Sequence, residues 1–188
     1  LKKDSEECMI KKLYFTRHGQ TFWNVENKIC GATDIGLTEL GHKQAIACGK
    51  AILDAQLPID LILYSPLIRA KDTAMHISET GIKAIEERRL KEQHFGKFES
   101  TPRNGHEFYL AKKQFCYDFD GGESMMQMAY RIYGLLDELK ESEKTYLLVA
   151  HNGIARIVAS YFHNMTNDEF AKAGIKNCEV VTYTFKDA

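Results

Sequence analysis

Apolar and polar positions along the chain predict four strands. Continuous apolar runs at 60–65 (DLILYS) and 145–150 (TYLLVA) are typical of strands that are buried on both faces of a sheet. A run at 11–16 (KKLYFT) leads directly into an Arg-His-Gly tripeptide, and the segment at 178–185 (CEVVTYTF) shows partial two-residue alternation. Each run has the length of a strand and is too short to cross a bilayer.

Apolar positions that recur every three or four residues predict helices between these strands. In the segment 38–55, Leu40, Ala47 and Ala51 fall near one face, and Thr38 is the predicted N-cap. Three further helices are predicted over 67–79, 123–142 and 153–162. Strands and helices therefore alternate along most of the chain.

This alternation predicts an α/β fold, a three-layer α/β/α sandwich with a mostly parallel central sheet. Ligands of such sheets bind beyond the carboxyl ends of the strands. The residues at three of these ends are Arg17-His18, Ser65-Pro66-Leu67 and His151-Asn152. We therefore expect two histidines to meet at one edge of the sheet, with Arg69 just inside the helix that follows the second strand.

The composition predicts one soluble domain without a strong charge field. The 188 residues are 44% hydrophobic and include 25 Lys and Arg against 26 Asp and Glu, so nucleic acid or an anionic membrane would find no basic surface. No repeat or low-complexity linker divides the chain, which predicts a single domain over 9–188 after a flexible leader at 1–8. The five cysteines are odd in number and widely spaced, which favours reduced thiols and a cytoplasmic location.

The residues expected at the sheet edge suit the transfer of a phosphoryl group. A neutral imidazole such as that of His18 is a competent nucleophile near neutral pH. Guanidinium groups offer forked donors that match phosphate oxygens, so Arg17 and Arg69 are the predicted clamp. His151 would supply a second positive or donor group, and Glu92 is the preferred carboxyl group to protonate the leaving oxygen. Spacing alone leaves four neighbouring carboxylates as alternatives, which are Glu86, Glu87, Glu99 and Glu123.

Six blocks of the sequence occur in an order that is specific to one family. They are LYFTRHGQTFWN (13–24), GATDIGLTELGHKQA (31–45), YSPLIRAKDTA (64–74), RLKEQHFGKFES (89–100), GGES (121–124) and LLVAHNGIAR (147–156). Together they resemble the histidine phosphatase superfamily, the phosphoglycerate-mutase-like group, over nearly the whole chain. Arg-His-Gly alone is a weak signal, whereas the combination with Ser-Pro-x-x-Arg-Ala and a late Ala-His-x-Gly is a strong one.

The resemblance implies the phosphoglycerate-mutase-like fold and a role for each residue of the predicted site. It implies that His18 is the phosphorylated nucleophile, that Glu92 is the proton donor, and that Arg17, Arg69 and His151 form the phosphate pocket. Further contacts to the substrate are expected from Asn24, Gln20, Thr21 and Asn152. This chemistry requires neither a cofactor nor a metal ion, so none is predicted.

The segment 97–122 bears on the choice between hydrolysis and isomerisation. Mutases of this family carry a longer insertion there, with basic residues that hold a bisphosphorylated cofactor. In this chain the segment is short, and its strong cations are Arg103, Lys112 and Lys113. The two lysines are interpreted as a solvated face, with a role in a lid left open. The compact form resembles the cofactor-independent phosphatases, and the segment is expected to cap the substrate cavity.

The predicted function is therefore that of a metal-independent phosphomonoesterase, which acts on small organic phosphates through a phosphohistidine. A cofactor-dependent phosphoglycerate mutase and a non-catalytic module that binds phosphorylated ligands are the alternatives. Other classes lack their motifs: no cysteine is followed six positions later by arginine, and P-loop and zinc-protease patterns are absent. The predicted partner is a small phosphate monoester, without nucleic acid or membrane.

Overall fold

A five-stranded sheet lies at the centre of the computed structural model, which describes residues 11–185. The strands are β1 (Lys12–Arg17), β2 (Leu61–Tyr64), β3 (Ala84–Glu86), β4 (Tyr146–Ala150) and β5 (Val180–Thr184). The helices are α1 (Phe22–Val25), α2 (Glu39–Asp54), α3 (Ile68–Ser78), α4 (His106–Ala111), α5 (Met125–Glu141), α6 (Asn152–Phe162) and α7 (Asn167–Lys172). Two 3-10 helices cover Arg88–Leu90 and Gly96–Phe98. The predicted leader at 1–8 lies outside the described residues.

The strand order β3-β2-β4-β1-β5 brings the ends of three strands together. Strand β5 is antiparallel to β1, and the other neighbouring strands are parallel. Their register places Arg17 beside Ala150 and Tyr64 beside Val149. The carboxyl ends of β1, β2 and β4 therefore lie at one edge of the sheet. The predicted α/β sandwich with a mostly parallel sheet is confirmed.

Successive residues of β4 belong to two apolar cores. Leu148 and Ala150 pack with buried residues of α5 and α6, whereas Leu147 and Val149 pack with buried residues of α2 and α3. Side chains of a strand alternate between the faces of the sheet, so both faces of β4 are covered by helices. This burial is the physical reason for the continuous apolar run in the sequence.

The buried face of α2 differs from the prediction. Thr38 caps the helix as predicted, because its Oγ1 accepts a hydrogen bond from Gly41 N at 3.0 Å. The predicted apolar face is exposed, and it consists of Leu40, Ala47 and Ala51. The buried residues are Gly41, Ala45, Cys48, Gly49 and Ile52. A Cβ on Gly49 would lie 3.2 Å from Ile77 Cα. Close packing of α2 on α3 therefore selects small residues over larger apolar ones.

The segment 97–122 has a small apolar core of its own. Its buried residues are Phe98, Phe108, Ala111 and Phe119, and they pack against Ile29 in the loop after α1. Ile29 N donates to Thr101 O at 2.8 Å, which fastens the segment to the loop after α1. The aromatic side chains of Phe98, Phe108 and Phe119 hold this segment together, and Phe108 also reaches the cavity in front of His18.

Four short elements were not predicted from the sequence: α1, α4, α7 and β3. Each contains between three and six residues, which is too short for a hydrophobic period to be recognised. Within residues 11–185, no helix is long and apolar enough to span a membrane.

Candidate active site

At the end of β1, the ring of His18 is fixed by a hydrogen bond from one of its two nitrogens, and the other nitrogen keeps a lone pair. The backbone N–H of His18 donates to Ala150 O at 3.0 Å, which continues the β1–β4 ladder by one residue. Its Nδ1–H donates to Gly19 O at 2.7 Å. The lone pair is therefore on Nε2. This is the tautomer that a nucleophilic imidazole requires.

Behind His18, a buried pair is formed by His151 and Arg69. The two histidine rings have centroids 5.2 Å apart. Arg69 is fully buried, and its Nε donates to His151 Nδ1 at 3.2 Å. The other ring nitrogen of His151 consequently carries the proton and donates to Ser65 Oγ at 2.7 Å. The ends of β1, β2 and β4 thus meet as the sequence predicted.

Arg69 also fastens the loop that precedes α2. Its terminal nitrogens donate to Thr33 O at 2.9 Å and to Gly31 O at 2.7 Å. Three donors of the guanidinium are therefore used within the protein. Arg69 is not among the residues that line the cavity in front of His18, so it orients His151 and contributes positive charge from behind the two rings.

Burial and nearby cations keep both histidines neutral. Burial, followed by the charges of Arg69 and Arg17, lowers the pKa of His18 well below its ordinary value of 6.5, although the hydrogen bond to Gly19 opposes the shift. The pKa of His151 is also lowered well below 6.5, by burial first and then by Arg69. His18 is thus in its nucleophilic form at neutral pH. His151 is held neutral, so of the two roles predicted for it, positive group or donor, the arrangement favours the donor.

A cavity of about 140 Å³ opens in front of His18. Its polar and charged lining residues are Arg17, His18, Asn24, Cys30, Glu92, Arg103, Lys112, Asn152 and Arg156. Arg17 donates one terminal N–H to Ile175 O at 3.1 Å, while its buried Nε has no hydrogen-bond partner among residues 11–185. Burial lowers the pKa of Arg17 to about 10, which still leaves it charged near neutral pH. A buried charged donor without a partner marks the place where an anionic ligand would bind.

Glu92 lies in the wall of the same cavity and is almost fully buried. Its Oε2 accepts a hydrogen bond from Gly153 N, in the first turn of α6, at 2.9 Å. A Cβ on Gly153 would collide with the carboxylate of Glu92, so a larger residue here would displace that carboxylate. Among the described residues, Glu92 is the only carboxylate that lines the cavity.

The competing carboxylates have other partners. Glu87 is paired with Arg89 at 2.9 Å, and Glu123 is paired with Arg131 at 2.6 Å. Glu86 lies 3.8 Å from Arg88. These ion pairs lie outside the cavity wall, so Glu92 is the carboxyl group of this set that faces the cavity.

Of the remaining predicted contacts, two asparagines line the cavity and two other residues do not. Asn24 and Asn152 are both in the cavity wall. Thr21 instead caps α1, because its Oγ1 accepts from Asn24 N at 3.2 Å. Gln20 accepts a hydrogen bond from Thr38 Oγ1 at 3.0 Å. Thr21 and Gln20 therefore stabilise the loop that follows His18.

Sequence reasoning missed two residues at this site. Arg156 lines the cavity one helical turn beyond Asn152, and its i, i+4 spacing was the signal that could have identified it. Asn177 donates its Nδ2–H to His18 O at 2.7 Å and lies 3.5 Å from Asn24 Oδ1. Asn177 therefore links the backbone of His18, the predicted nucleophile, to Asn24, a predicted phosphate contact. A lone asparagine far away in the sequence gave no signal for this role.

Glu99 organises the loop that receives the donors of Arg69. Its carboxylate accepts hydrogen bonds from the backbone N–H groups of Gly31, Ala32, Thr33 and Phe95 at 3.0–3.3 Å. Burial opposes ionisation, but the hydrogen bonds outweigh it and lower the pKa of Glu99. Glu99 is therefore a structural carboxylate, although sequence spacing left it as a candidate proton donor.

Replacing Glu99 by glutamine is expected to destabilise the protein by about 2 kcal/mol, because an amide N–H would then face backbone N–H groups. Glu39→Gln, which removes an exposed pair with Lys43, is the matched control and should change stability by about 0.5 kcal/mol or less. Urea unfolding measures both. The difference should shrink as the pH falls below the ordinary carboxyl value of 4.5, since a lowered pKa stabilises only the ionised form. Equal stability of the two variants at pH 7 would contradict the role of Glu99.

Comparison with known proteins identifies relatives over nearly the whole chain. A family model described as "Histidine phosphatase superfamily (branch 1)" matches residues 13–188. Curated 2,3-bisphosphoglycerate-dependent phosphoglycerate mutases of Chelativorans sp. (strain BNC1) and Gloeobacter violaceus are each 31% identical to this chain. The matches cover 93% and 91% of the chain, and 92% and 84% of the two relatives. A solved mycobacterial glucosyl-3-phosphoglycerate phosphatase, complexed with VO3, gives a TM-score of 0.81 at 28% identity, over 92% of this chain and 90% of its own.

Proposed function

The chain belongs to the histidine phosphatase superfamily (branch 1), and on that premise we propose that it hydrolyses small phosphate monoesters through a phosphohistidine at His18. The observation that carries the proposal is the state of the His18 ring. Its Nδ1–H donates to Gly19 O, and the ring is neutral, so Nε2 carries a lone pair. The ring lines a cavity together with Arg17 and Glu92. These are the groups that in-line phosphoryl transfer needs.

In the first step, Nε2 of His18 attacks the phosphorus atom, and the bond between phosphorus and the ester oxygen breaks. The electron pair goes to the leaving oxygen, which takes a proton from Glu92. The guanidinium of Arg17 stabilises the charge on the transferring oxygens. Because Nδ1 already donates to Gly19 O, the positive charge that develops on the ring is partly compensated.

In the second step, water attacks the phosphohistidine while Glu92, now ionised, accepts a proton from the water. The bond between phosphorus and Nε2 breaks, and the electron pair returns to His18. Inorganic phosphate leaves, and Glu92 is again protonated. No metal ion or organic cofactor takes part in this scheme. Within residues 11–185, no group of three or more His, Cys, Asp or Glu residues is arranged to hold a metal ion.

Isomerisation is the second candidate function, and it shares the first step. In a mutase, the phosphohistidine would return its phosphoryl group to another hydroxyl of a phosphorylated acid instead of to water. The positive charge of the cavity and the names of the two curated relatives favour this candidate. The short segment 97–122 favours hydrolysis, which is why we place phosphatase activity first.

Phosphate release from a panel of alkyl, sugar and phosphoglycerate monoesters, in the presence of EDTA, tests the proposal. We expect metal-independent release from at least one ester. Each phosphoglycerate is also incubated with its bisphosphorylated form as a primer, and the isomers are separated. Primer-dependent isomer exchange without phosphate release would identify a mutase. Binding of the esters with neither activity would overturn both candidates and indicate a binding module.

A further inference from the structure

Two histidines outside the substrate cavity face each other on neighbouring helices. His42 lies in the first turn of α2, and His76 lies in the last turn of α3. Their half-buried rings are nearly perpendicular, with centroids 5.3 Å apart. Nδ1 of His42 and Nε2 of His76 are 3.0 Å apart, so one of these nitrogens donates a hydrogen bond to the other. Neither side chain lines the cavity in front of His18.

A carboxylate favours one tautomer of His76. Oε1 of Glu79 lies 3.6 Å from Nδ1 of His76. This proximity favours a hydrogen on Nδ1, which leaves the lone pair on Nε2, the nitrogen that faces His42. Histidines that bind metal ions commonly have this arrangement, in which one ring nitrogen is the ligand and the other donates to a carboxylate.

The separation of the two facing nitrogens matches that of adjacent ligands on one metal ion. Metal–nitrogen distances of about 2.0–2.1 Å place two adjacent ligand nitrogens about 2.9–3.4 Å apart. The observed separation of 3.0 Å lies in this range. For His42 to become the second ligand, the hydrogen on its Nδ1 moves through solvent to its Nε2, and the ring stays neutral. A metal ion would then replace the hydrogen atom that the two nitrogens share.

The helices that carry the pair are held at a fixed spacing. Helix α2 packs so closely on α3 that a Cβ on Gly49 would lie 3.2 Å from Ile77 Cα and 3.3 Å from His76 O. Ile77, the neighbour of His76, is fully buried. Ligands on rigid elements lose little conformational freedom when a metal ion binds, so this packing favours binding.

We propose that His42 and His76 bind one divalent transition-metal ion of the class that prefers imidazole ligands, such as Ni²⁺ or Zn²⁺. Among residues 11–185, no third His, Cys, Asp or Glu completes the set, so water would supply the remaining ligands. Mg²⁺ prefers oxygen ligands and should not bind here. The site is independent of the proposed phosphoryl transfer, in which no metal ion takes part.

The pair lies beside contacts that position the loop after His18. Next to the first histidine of the pair, Gly41 packs so closely on Gln20 O that a Cβ would collide with it. One turn before the second histidine, Thr73 Oγ1 accepts a hydrogen bond from Gly19 N at 3.0 Å. A metal ion that joins α2 to α3 would therefore stabilise this loop from behind, without contacting the substrate.

Calorimetric titration of Ni²⁺ into the untagged chain, after treatment with EDTA and its removal, tests the site. The wild type should bind one ion. His42→Gln and His76→Gln each remove one ligand, so each should weaken Ni²⁺ binding by at least about 10- to 100-fold, which is the cost of losing a residue that only orients a ligand. His163→Gln is the matched control, since His163 is exposed and lies after α6. This variant should bind Ni²⁺ as the wild type does.

Thermal unfolding gives a second readout, because an ion that binds only the folded chain raises its Tm. With Ni²⁺ at about one hundred times its measured Kd, the Tm of the wild type should rise by roughly 5–10 °C. Mg²⁺ at the same concentration should leave the Tm unchanged. The rise with Ni²⁺ should be much smaller in His42→Gln and His76→Gln and should be retained in His163→Gln.

Three outcomes would overturn the site. The first is that the wild type binds no Ni²⁺. The second is that Ni²⁺ binds equally well to the wild type and to either variant of the pair, which would assign the ion to other groups, such as the exposed thiol of Cys116. The third is that Mg²⁺ raises the Tm as Ni²⁺ does. None of these readouts depends on turnover, so failure of the metal site and failure of the proposed hydrolysis are distinguishable.

Discussion

Replacing His18 by asparagine is expected to lower the rate of phosphate release by about 10⁴-fold or more and to abolish the phosphoenzyme. The amide of asparagine can still donate to Gly19 O, as Nδ1–H of His18 does at 2.7 Å, so the loop should keep its conformation. What is lost is the lone pair that forms the bond to phosphorus. Rapid mixing with a reactive ester, an alkaline quench and intact mass measurement would detect the phosphorylated chain.

The control for this experiment is His163→Asn, since His163 is exposed and lies outside the cavity wall. This variant should be phosphorylated and turn over as the wild type. Phosphorylation of the His18→Asn variant at another residue, with turnover retained, would show that the nucleophile is wrongly assigned. Loss of phosphorylation in both variants would point to a defect of the assay or of folding.

Replacing Glu92 by glutamine is expected to separate the two steps of the reaction. With alkyl phosphates, whose leaving oxygen needs a proton, the rate should fall by about 10²- to 10⁴-fold. With p-nitrophenyl phosphate, whose leaving group departs without a proton, the first step should remain fast while attack by water is slow. Stopped-flow absorbance should then show a burst of nitrophenolate that is equal to the enzyme concentration.

Glu107→Gln is the matched control for Glu92→Gln. Glu107 lies in the same region of the chain but pairs with Lys97 at the surface, at 3.2 Å. It should show neither a burst nor a dependence on the leaving group. If Glu92→Gln slowed both kinds of ester equally, without a burst, Glu92 would act in binding or packing and not as the proton donor.

The meeting of His18, Arg69 and His151 could be predicted because parallel topology forces it. Buried parallel strands give continuous apolar runs, and their carboxyl ends must lie at one edge of the sheet. The residues that follow such runs are therefore neighbours, whatever their separation in sequence. The resemblance to a family then selected Glu92 from several nearby carboxylates.

Other contributions could not be predicted, because they depend on contacts that no sequence period records. Asn177 acts through one hydrogen bond to a backbone carbonyl. Glu99 acts by accepting several backbone N–H groups of a loop. Arg17 and Arg69 differ in their depth below the cavity surface. Among residues 11–185, Arg17 Nε has no partner, whereas the donors of Arg69 are used inside the protein. Similarly, the sequence did not predict which face of α2 is buried, because close packing against α3 selects small residues for that face.

The position of β5 beside β1 has a consequence for the biosynthesis of the active protein. The backbone of Arg17 is held by Cys178 N at 2.9 Å, and the backbone of His18 is held by Asn177. On a ribosome, the Arg-His-Gly segment emerges long before residues 177–184 are translated. We therefore expect His18 to reach its final geometry only after residues 177–184 have joined the edge of the sheet. A nascent chain that stops before residue 177 keeps His18, Glu92 and Arg17 and should lack activity, so we expect the proposed phosphoryl transfer to begin only after translation has passed β5.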